Sequence, residues 1–432
     1  MKLEDMILIS VDDHIVEPPD MFKNHLTAEW QDKAPKLVKL NGTDVWQFNG
    51  QNLPNIGLNA VVGRIPEEYG VEPTAYAQMR KGCYDVKARV DDMNANGVLA
   101  QICFPSFPGF VGQLWASCKD RTLARVMLQA YNDWHIDEWC GAAPGRFIPL
   151  ALPAIWDPIV MAEEVRRVAK KGCTTVNFSE NPVKLGHPSL HNSHWDPFWK
   201  ACEDEGMVVC IHIGSGGGMN FTTMDSPIDV MITTTPVAIL NLAADLLFSN
   251  VIKKFPKLKF ALSEGGIGWV PYFLERADYV YKHHHAWTNS DFGKKLPSEV
   301  FRERFLNCFI DDKAGVEMRH HIGVETIMWE CDYPHSDTTW PKAPEILWES
   351  VKNVPEAEVH AMTWQNAVRE FRYKFAPNLP KEKATVGELR KLATHVDLSL
   401  TKGLGGNPAA GVGEVVTAQH IVNQLANAFV KQ

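Results

Sequence analysis

Long apolar runs, basic clusters and paired cysteines are all missing from this chain of 432 residues. No stretch approaches the roughly 20 apolar residues needed to cross a bilayer, so no membrane partner is expected. The opening MKLEDMILISVDDH has too short an apolar run for a secretory signal, and acids flank it. Basic residues number 43 against 52 acidic ones, a net charge of −9, and they form no block. That leaves no electrostatic case for nucleic acid or an anionic surface as partner. The nine cysteines, at 83, 103, 118, 140, 173, 202, 210, 308 and 331, are odd in number and form no C-x-x-C pair. They read as reduced core residues of a cytoplasmic protein, not as a disulfide or zinc-thiolate framework. Disorder is excluded too, because only 22% of residues are charged while 45% are hydrophobic and 10% aromatic.

What is present is a regular alternation. Strand-length apolar runs occur at Met6–Val11, Val98–Phe104, Phe147–Leu152, Thr174–Phe178, Met207–Ile213, Leu258–Leu262, Asn307–Ile310 and Thr326–Trp329. Amphipathic segments of helical length separate them, near 86–96, 121–139, 159–171, 196–205, 236–248, 271–282 and 314–322, with a last helical region at 342–373. Eight such β/α units with continuous apolar strands predict a (β/α)₈ TIM barrel, an α/β fold, with a doubly wound open sheet as the structural rival. The barrel is expected over 1–375. An inserted segment at about 18–85 carries a hairpin around Asn41-Gly42. A C-terminal extension, 376–432, carries Pro377, Pro380, Gly403-Leu404-Gly405-Gly406 and Pro408, then a helix-like run from Val415 to Phe429. Packing of this extension on a second copy in a homo-oligomer and a solvent-exposed tail are equal expectations.

Chemistry in such a barrel sits where strands end. Strand one ends in Asp12-Asp13-His14, with Asp12 and His14 two apart and therefore on one side of extended backbone. Strand four reaches Glu180, strand five His212, strand six Glu264 and strand eight Asp332. Each alone reads as a turn acid or a core histidine. Five strand ends together read as a metal centre. Two imidazoles and four carboxylates suit Fe, Zn or Mn. Six ligands exceed what one catalytic zinc holds, so two divalent ions bridged by Glu180 or Glu264 are expected; one ion with Glu264 free as acid/base is the rival. The run Gly214-Ser215-Gly216-Gly217-Gly218 lacks the Lys of a phosphate loop. The tract His283-His284-His285 ends a helix and reads as dipole complement rather than metal site. Phe107, Phe110 and Trp115 lie beyond strand two, either as core or as an apolar substrate wall.

At these residues the chain resembles the amidohydrolase superfamily, in its amidohydrolase-2 branch with aminocarboxymuconate-semialdehyde decarboxylase and the resorcylate decarboxylases. The resemblance rests on Asp12-x-His14 with Glu17-Pro18-Pro19, Phe104-Pro105-Ser106, Pro144-Gly145-Arg146-Phe147 and His194-Trp195-Asp196-Pro197. It continues in His212-Ile213-Gly214, Glu264-Gly265-Gly266-x-Gly268-Trp269, Asp332-Tyr333-Pro334-His335 and Asn366-Ala367. It implies that Asp12, His14, His212 and Asp332 bind metal. The family decarboxylases carry a His as acid/base where this chain has Glu264. In two-metal relatives a carboxylated Lys bridges at the strand-four position, where Glu180 would supply the carboxylate.

The expected function is metal-dependent hydrolysis of an acyl bond in a small organic acid derivative. Asp332 binds metal and helps take the water proton, Glu264 relays it or binds the second ion, and His335 either holds the substrate or hydrogen-bonds from behind the ligands, two equal expectations. The alternative is non-oxidative decarboxylation or hydration of an aromatic or unsaturated acid on one metal. A binding protein that has lost activity predicts no stoichiometric metal.

Overall fold

The computed structural model describes residues 1–53, 57, 59–70, 73–405, 409–411 and 413–430. The first strand, β1 (Ile9–His14), opens the barrel. The inserted segment contributes β2 (Lys36–Leu40), β3 (Thr43–Phe48) and β4 (Gln51–Leu53) as a separate antiparallel sheet. The barrel resumes with β5 (Ala100–Phe104) and the short pair β6 (Phe147–Ile148) and β7 (Leu150–Ala151), one strand interrupted at Pro149. Then come β8 (Thr175–Asn177), β9 (Val208–His212), β10 (Lys259–Ser263), β11 (Phe305–Phe309) and β12 (Ile327–Trp329).

All barrel pairings are parallel, in the orders β1-β5-β6 and β7-β8-β9-β10-β11-β12. The residues after β12 tie back to β1: Asp332 N donates to Asp12 O at 2.9 Å, and His14 N donates to Tyr333 O at 2.6 Å. Ser10 Oγ also accepts from Cys331 N at 2.7 Å. The fold is the expected (β/α)₈ barrel.

Local chemistry explains the outer ring. Asp85, Asp120 and Asp157 each accept backbone N–H groups at the starts of the helices Val86–Ala95, Arg121–Trp134 and Pro158–Lys170. The predicted last helical region is broken into Ala343–Val351, Glu356–His360 and Asn366–Glu370, with Pro355 at the first break and a π-helical turn before the last. A helix at Pro297–Arg304 was not expected; its mix of apolar and charged residues carries little periodic signal.

Inside the barrel, Ile9, Val11, Ile102, Val208, Cys210, Leu306, Cys308 and Met328 form one buried cluster. Successive inward positions two residues apart make this layer, so His212 continues the Val208–Cys210 row at its upper end. All nine cysteines are free and buried.

The hairpin forms as predicted. Leu40 pairs with Thr43, and the two-residue turn has positive φ at both Asn41 (50°) and Gly42 (84°), a geometry that admits Asn-Gly. Its strand β3 turns Trp46 and Phe48 inward, against Phe107 and Trp115 beyond β5.

The C-terminal extension folds back on its own chain. Thr401 N donates to Gly63 O at 2.7 Å, while Gly403 N and Gly405 N donate to Glu68. Further on, Ile228 N donates to Val416 O, and Ala418 N to Ser226 O. The last helix, Ala418–Val430, matches the expected run, whereas Gly406 and Pro408 lie outside the described residues. One expectation is corrected: the span Ile228–Leu247, 20 residues, is long and apolar enough to cross a membrane by length and composition alone. Three threonines and Pro236 had masked its length in the sequence. In its second half Ile239, Leu242, Ala243, Leu246 and Leu247 pack into the protein core.

Candidate metal centre

The strand ends converge. His14 Nε2 lies 3.2 Å from His212 Nε2. It also lies 3.5 Å from Asp12 Oδ1 and 3.1 Å from Asp332 Oδ1. His212 Nε2 is 3.4 Å from Asp12 Oδ2 and 3.1 Å from Glu264 Oε2. His335 Nδ1 stands 3.1 Å from Asp332 Oδ1. Ligand atoms of Asp12, His14 and His212, and again of His14, Asp332 and His335, lie within 4.8 Å of one another.

Each side chain is aimed by its strand. In β1 the register against β5 shifts between Ser10 and Asp13. Ile9 and Val11 point into the barrel layer, so unbroken alternation would send Asp13 inward. The irregularity instead turns Asp12 and His14 to the centre. Asp13 faces away, accepting from Gln101 Nε2 and Tyr333 N at 2.9 Å each. Arg89, fully buried, donates to the His14 carbonyl at 2.6 Å and fixes that turn from behind. His212 bonds the Ile213 carbonyl through Nδ1 at 2.5 Å, leaving Nε2 for the centre. Glu264 (φ 56°) and Asp332 (φ 57°) both sit in left-handed backbone. That conformation is unfavourable for side chains of this kind and is retained where surrounding structure over-determines it.

The electrostatics call for a cation. Burial pushes Asp12 well above the ordinary carboxylate range, and the nearby Glu330, Glu264 and Asp332 charges push it further. Glu330 is raised for the same reasons. His14 is driven well below the usual imidazole range by burial, then by His335 and His212. For His335 burial acts downward, but the Asp332 charge and hydrogen bond outweigh it and raise the imidazole. Both Asp12 oxygens, Asp332 Oδ2 and His14 Nδ1 are buried with no hydrogen-bond partner. Ligands about 2.0–2.1 Å from a tetrahedral ion stand about 3.3 Å from each other, which is the spacing of this cluster. Buried acceptors facing imidazole nitrogens at that separation fit a divalent metal, and Asp12, His14, His212 and Asp332 are the residues that could hold it.

The other expected site residues fall as follows. Glu264 stands beside His212 and is 15% exposed, at the open side of the cluster. Glu180 is turned to the glycine loop after β9, where its oxygens accept Gly214 N at 3.2 Å and Gly216 N at 3.3 Å. Among the described residues it is not in a metal-spaced group, so its expected bridging role gains no support from this geometry. His283, His284 and His285 lie on the outer part of the helix Val270–Thr288, with His283 and His285 bonded to carbonyls one turn back. Trp115 is wholly buried, whereas Phe110 reaches the centre, its ring flat on His212 at 4.4 Å and 17°.

Sequence reading overlooked Glu330. It is fully buried beneath the cluster, accepts Glu264 N at 3.2 Å through one oxygen and leaves the other unpartnered. Its signal was legible: an acid inside the apolar run Ile327-Met328-Trp329-Glu330-Cys331.

A family model described as Amidohydrolase matches residues 51–373. Solved structures share the fold. An amidohydrolase from Mycobacterium avium subsp. paratuberculosis superposes with a TM-score of 0.64 at 21% identity, over 84% of this chain and 99% of its own. A 5-carboxyvanillate decarboxylase from Novosphingobium aromaticivorans, complexed with manganese and 4-hydroxy-3-methoxy-5-nitrobenzoic acid, gives 0.59 at 18% identity, over 86% and 99%. A 2,6-dihydroxybenzoate decarboxylase from Rhizobium gives 0.53 at 18% identity, over 85% and 99%. No curated protein matches the chain.

Proposed function

The chain belongs to the amidohydrolase family, and from that premise we propose that this metal-dependent enzyme is a non-oxidative decarboxylase of an aromatic or unsaturated acid, working on one ion. The observation that carries the reading is the single convergence of Asp12, His14, His212 and Asp332. The likeness to two aromatic-acid decarboxylases, one with manganese bound, favours it over acyl hydrolysis and makes manganese the first ion to test.

The ion, when bound, supplies positive charge that anchors an anionic substrate and stabilises charge developing in the ring. His335, oriented through Nδ1 by Asp332, would donate from its other nitrogen to a substrate oxygen. Glu264, at the open side, would deliver its carboxyl proton to the ring carbon. The bond from that carbon to the carboxylate breaks, its electron pair stays on the carbon, and carbon dioxide leaves. Glu330, bonded to the Glu264 backbone, would hold that residue's strained turn.

A second reading rests on one observation. Glu264 replaces the histidine of the family decarboxylases, and a carboxylate 3.1 Å from His212 Nε2 suits proton removal from water. That favours hydration or acyl hydrolysis, where a second ion would also find a use. The test is to load the purified chain with manganese, count ions per chain and screen hydroxybenzoates. Release of carbon dioxide on one ion per chain supports decarboxylation. Incorporation of labelled solvent oxygen into a product that keeps its carboxylate would replace it with the second reading.

A further inference from the structure

The inserted segment, β1 and the loop after β5 meet at a residue that neither reading uses. Glu17, fully buried, accepts Ser106 N at 2.9 Å through one oxygen and Phe107 N at 3.0 Å through the other. Tyr131 Oη donates to it at 3.0 Å. Ser106 Oγ donates to Ile15 O at 2.7 Å, closing the loop onto the end of β1. The carboxylate is therefore a clamp on the first turn of the Ser106–Gly112 loop. Its far end is held as well, since Asn177 Nδ2 from β8 donates to Phe110 O at 2.7 Å.

Between these two anchors the loop presents Phe110. The ring lies flat on His212 and edge-on to His14, with centroids 5.7 Å apart and planes at 68°. It remains partly exposed, unlike the neighbouring ring of Phe104. A Cβ at Gly214 would stand 3.8 Å from its edge, so glycine there leaves the ring free of cover on that side. We propose that Phe110 is the ring against which a planar substrate stacks, and that Glu17 is the positioning residue that sets its plane through the Ser106 and Phe107 amides. The proposal rests on the aromatic-acid reading of the site. Aromatic pairing beyond simple burial makes a flat ring the preferred occupant by up to about tenfold over a saturated one of equal charge.

The test compares benzoate with cyclohexanecarboxylate, by calorimetric binding to the manganese-loaded full chain. The wild type prefers benzoate by about tenfold; Phe110→Leu loses that preference and Phe110→Tyr keeps it. Glu17→Gln lowers the preference and speeds hydrogen exchange at the Ser106 and Phe107 amides, yet adds nothing in the Phe110→Leu background. Glu17→Asp, which shortens the reach and keeps the carboxyl group, takes its place if the Gln variant does not fold. Equal affinities in the wild type, or a preference that survives Phe110→Leu, overturn the role of the ring. Unchanged exchange and preference in the Glu17 variant overturn the clamp. Binding, not turnover, is read, so a planar preference without carbon dioxide release would sink the decarboxylase reading and leave this one standing.

Discussion

His14 and His335 stack face to face, their ring centroids 3.6 Å apart and their planes 25° from parallel. Asp332 Oδ1 stands 3.1 Å from a nitrogen of each ring. One carboxylate thus orients both a metal-type ligand and the histidine proposed to hold substrate. His335→Phe keeps the stacking surface and removes the nitrogens. Metal content should stay at wild-type level while kcat/KM falls about 10²–10⁴-fold, as for loss of a positioned proton donor. Metal analysis alongside steady-state kinetics checks both halves.

Asp12→Ala and Asp332→Ala should each lose bound metal, read by elemental analysis after dialysis. Chelation of the wild type should lower its melting temperature, because Asp12 and Glu330 then face Asp332 and Glu264 without a cation. At free metal about 1,000-fold above Kd, the lost stabilisation is about 4 kcal/mol. Full metal retention in both variants would remove Asp12 and Asp332 from the ligand set.

Glu264→Gln preserves shape and cannot carry the transferable proton. A fall of about 10²–10⁴-fold in kcat with little change in KM or metal content is expected. A matching loss of metal would mean that Glu264 is a ligand instead.

Glu17 gives a pH signature. Burial raises its carboxyl to about 7 against the opposing pull of the Phe107 and Ser106 amides. The folded protein therefore holds a proton that the unfolded chain has released. The associated stability is complete below the unfolded value near pH 4.5 and disappears as pH climbs through 7. Over that window the wild type should lose up to about 1.4 kcal/mol per pH unit relative to Glu17→Gln, about 3 kcal/mol in total. Urea midpoints of the two proteins, taken at roughly one-unit steps from about pH 5 to about pH 8, provide the comparison.

Removal of the chain beyond residue 396 should loosen the rim of the site. It deletes the bonds from Thr401 N to Gly63 O and from Ile228 N to Val416 O. Gly63 follows Val61 and Val62, whose amides bond Pro334 O next to His335. Hydrogen exchange should rise at residues 61–68 and 224–228, and KM should rise more than kcat falls. Unchanged exchange at both loops would make the extension an independent appendage.

The sequence by itself determined the barrel, because buried parallel strands must be continuously apolar and the helices between them amphipathic. It also marked the strand ends that carry His212, Glu264 and Asp332, since polar residues closing apolar runs stand out in one dimension. The hairpin was legible from Asn41-Gly42 alone. Only the tertiary structure decided which of these side chains meet. Asp12 and His14 reach the centre where β1 shifts register against β5 between Ser10 and Asp13, a feature of strand pairing that residue order does not display. Glu180 closes an equally good strand, yet its oxygens bind the Gly214 and Gly216 amides. A carboxylate goes to whichever partners the packing brings nearest, and those partners are contributed by distant segments.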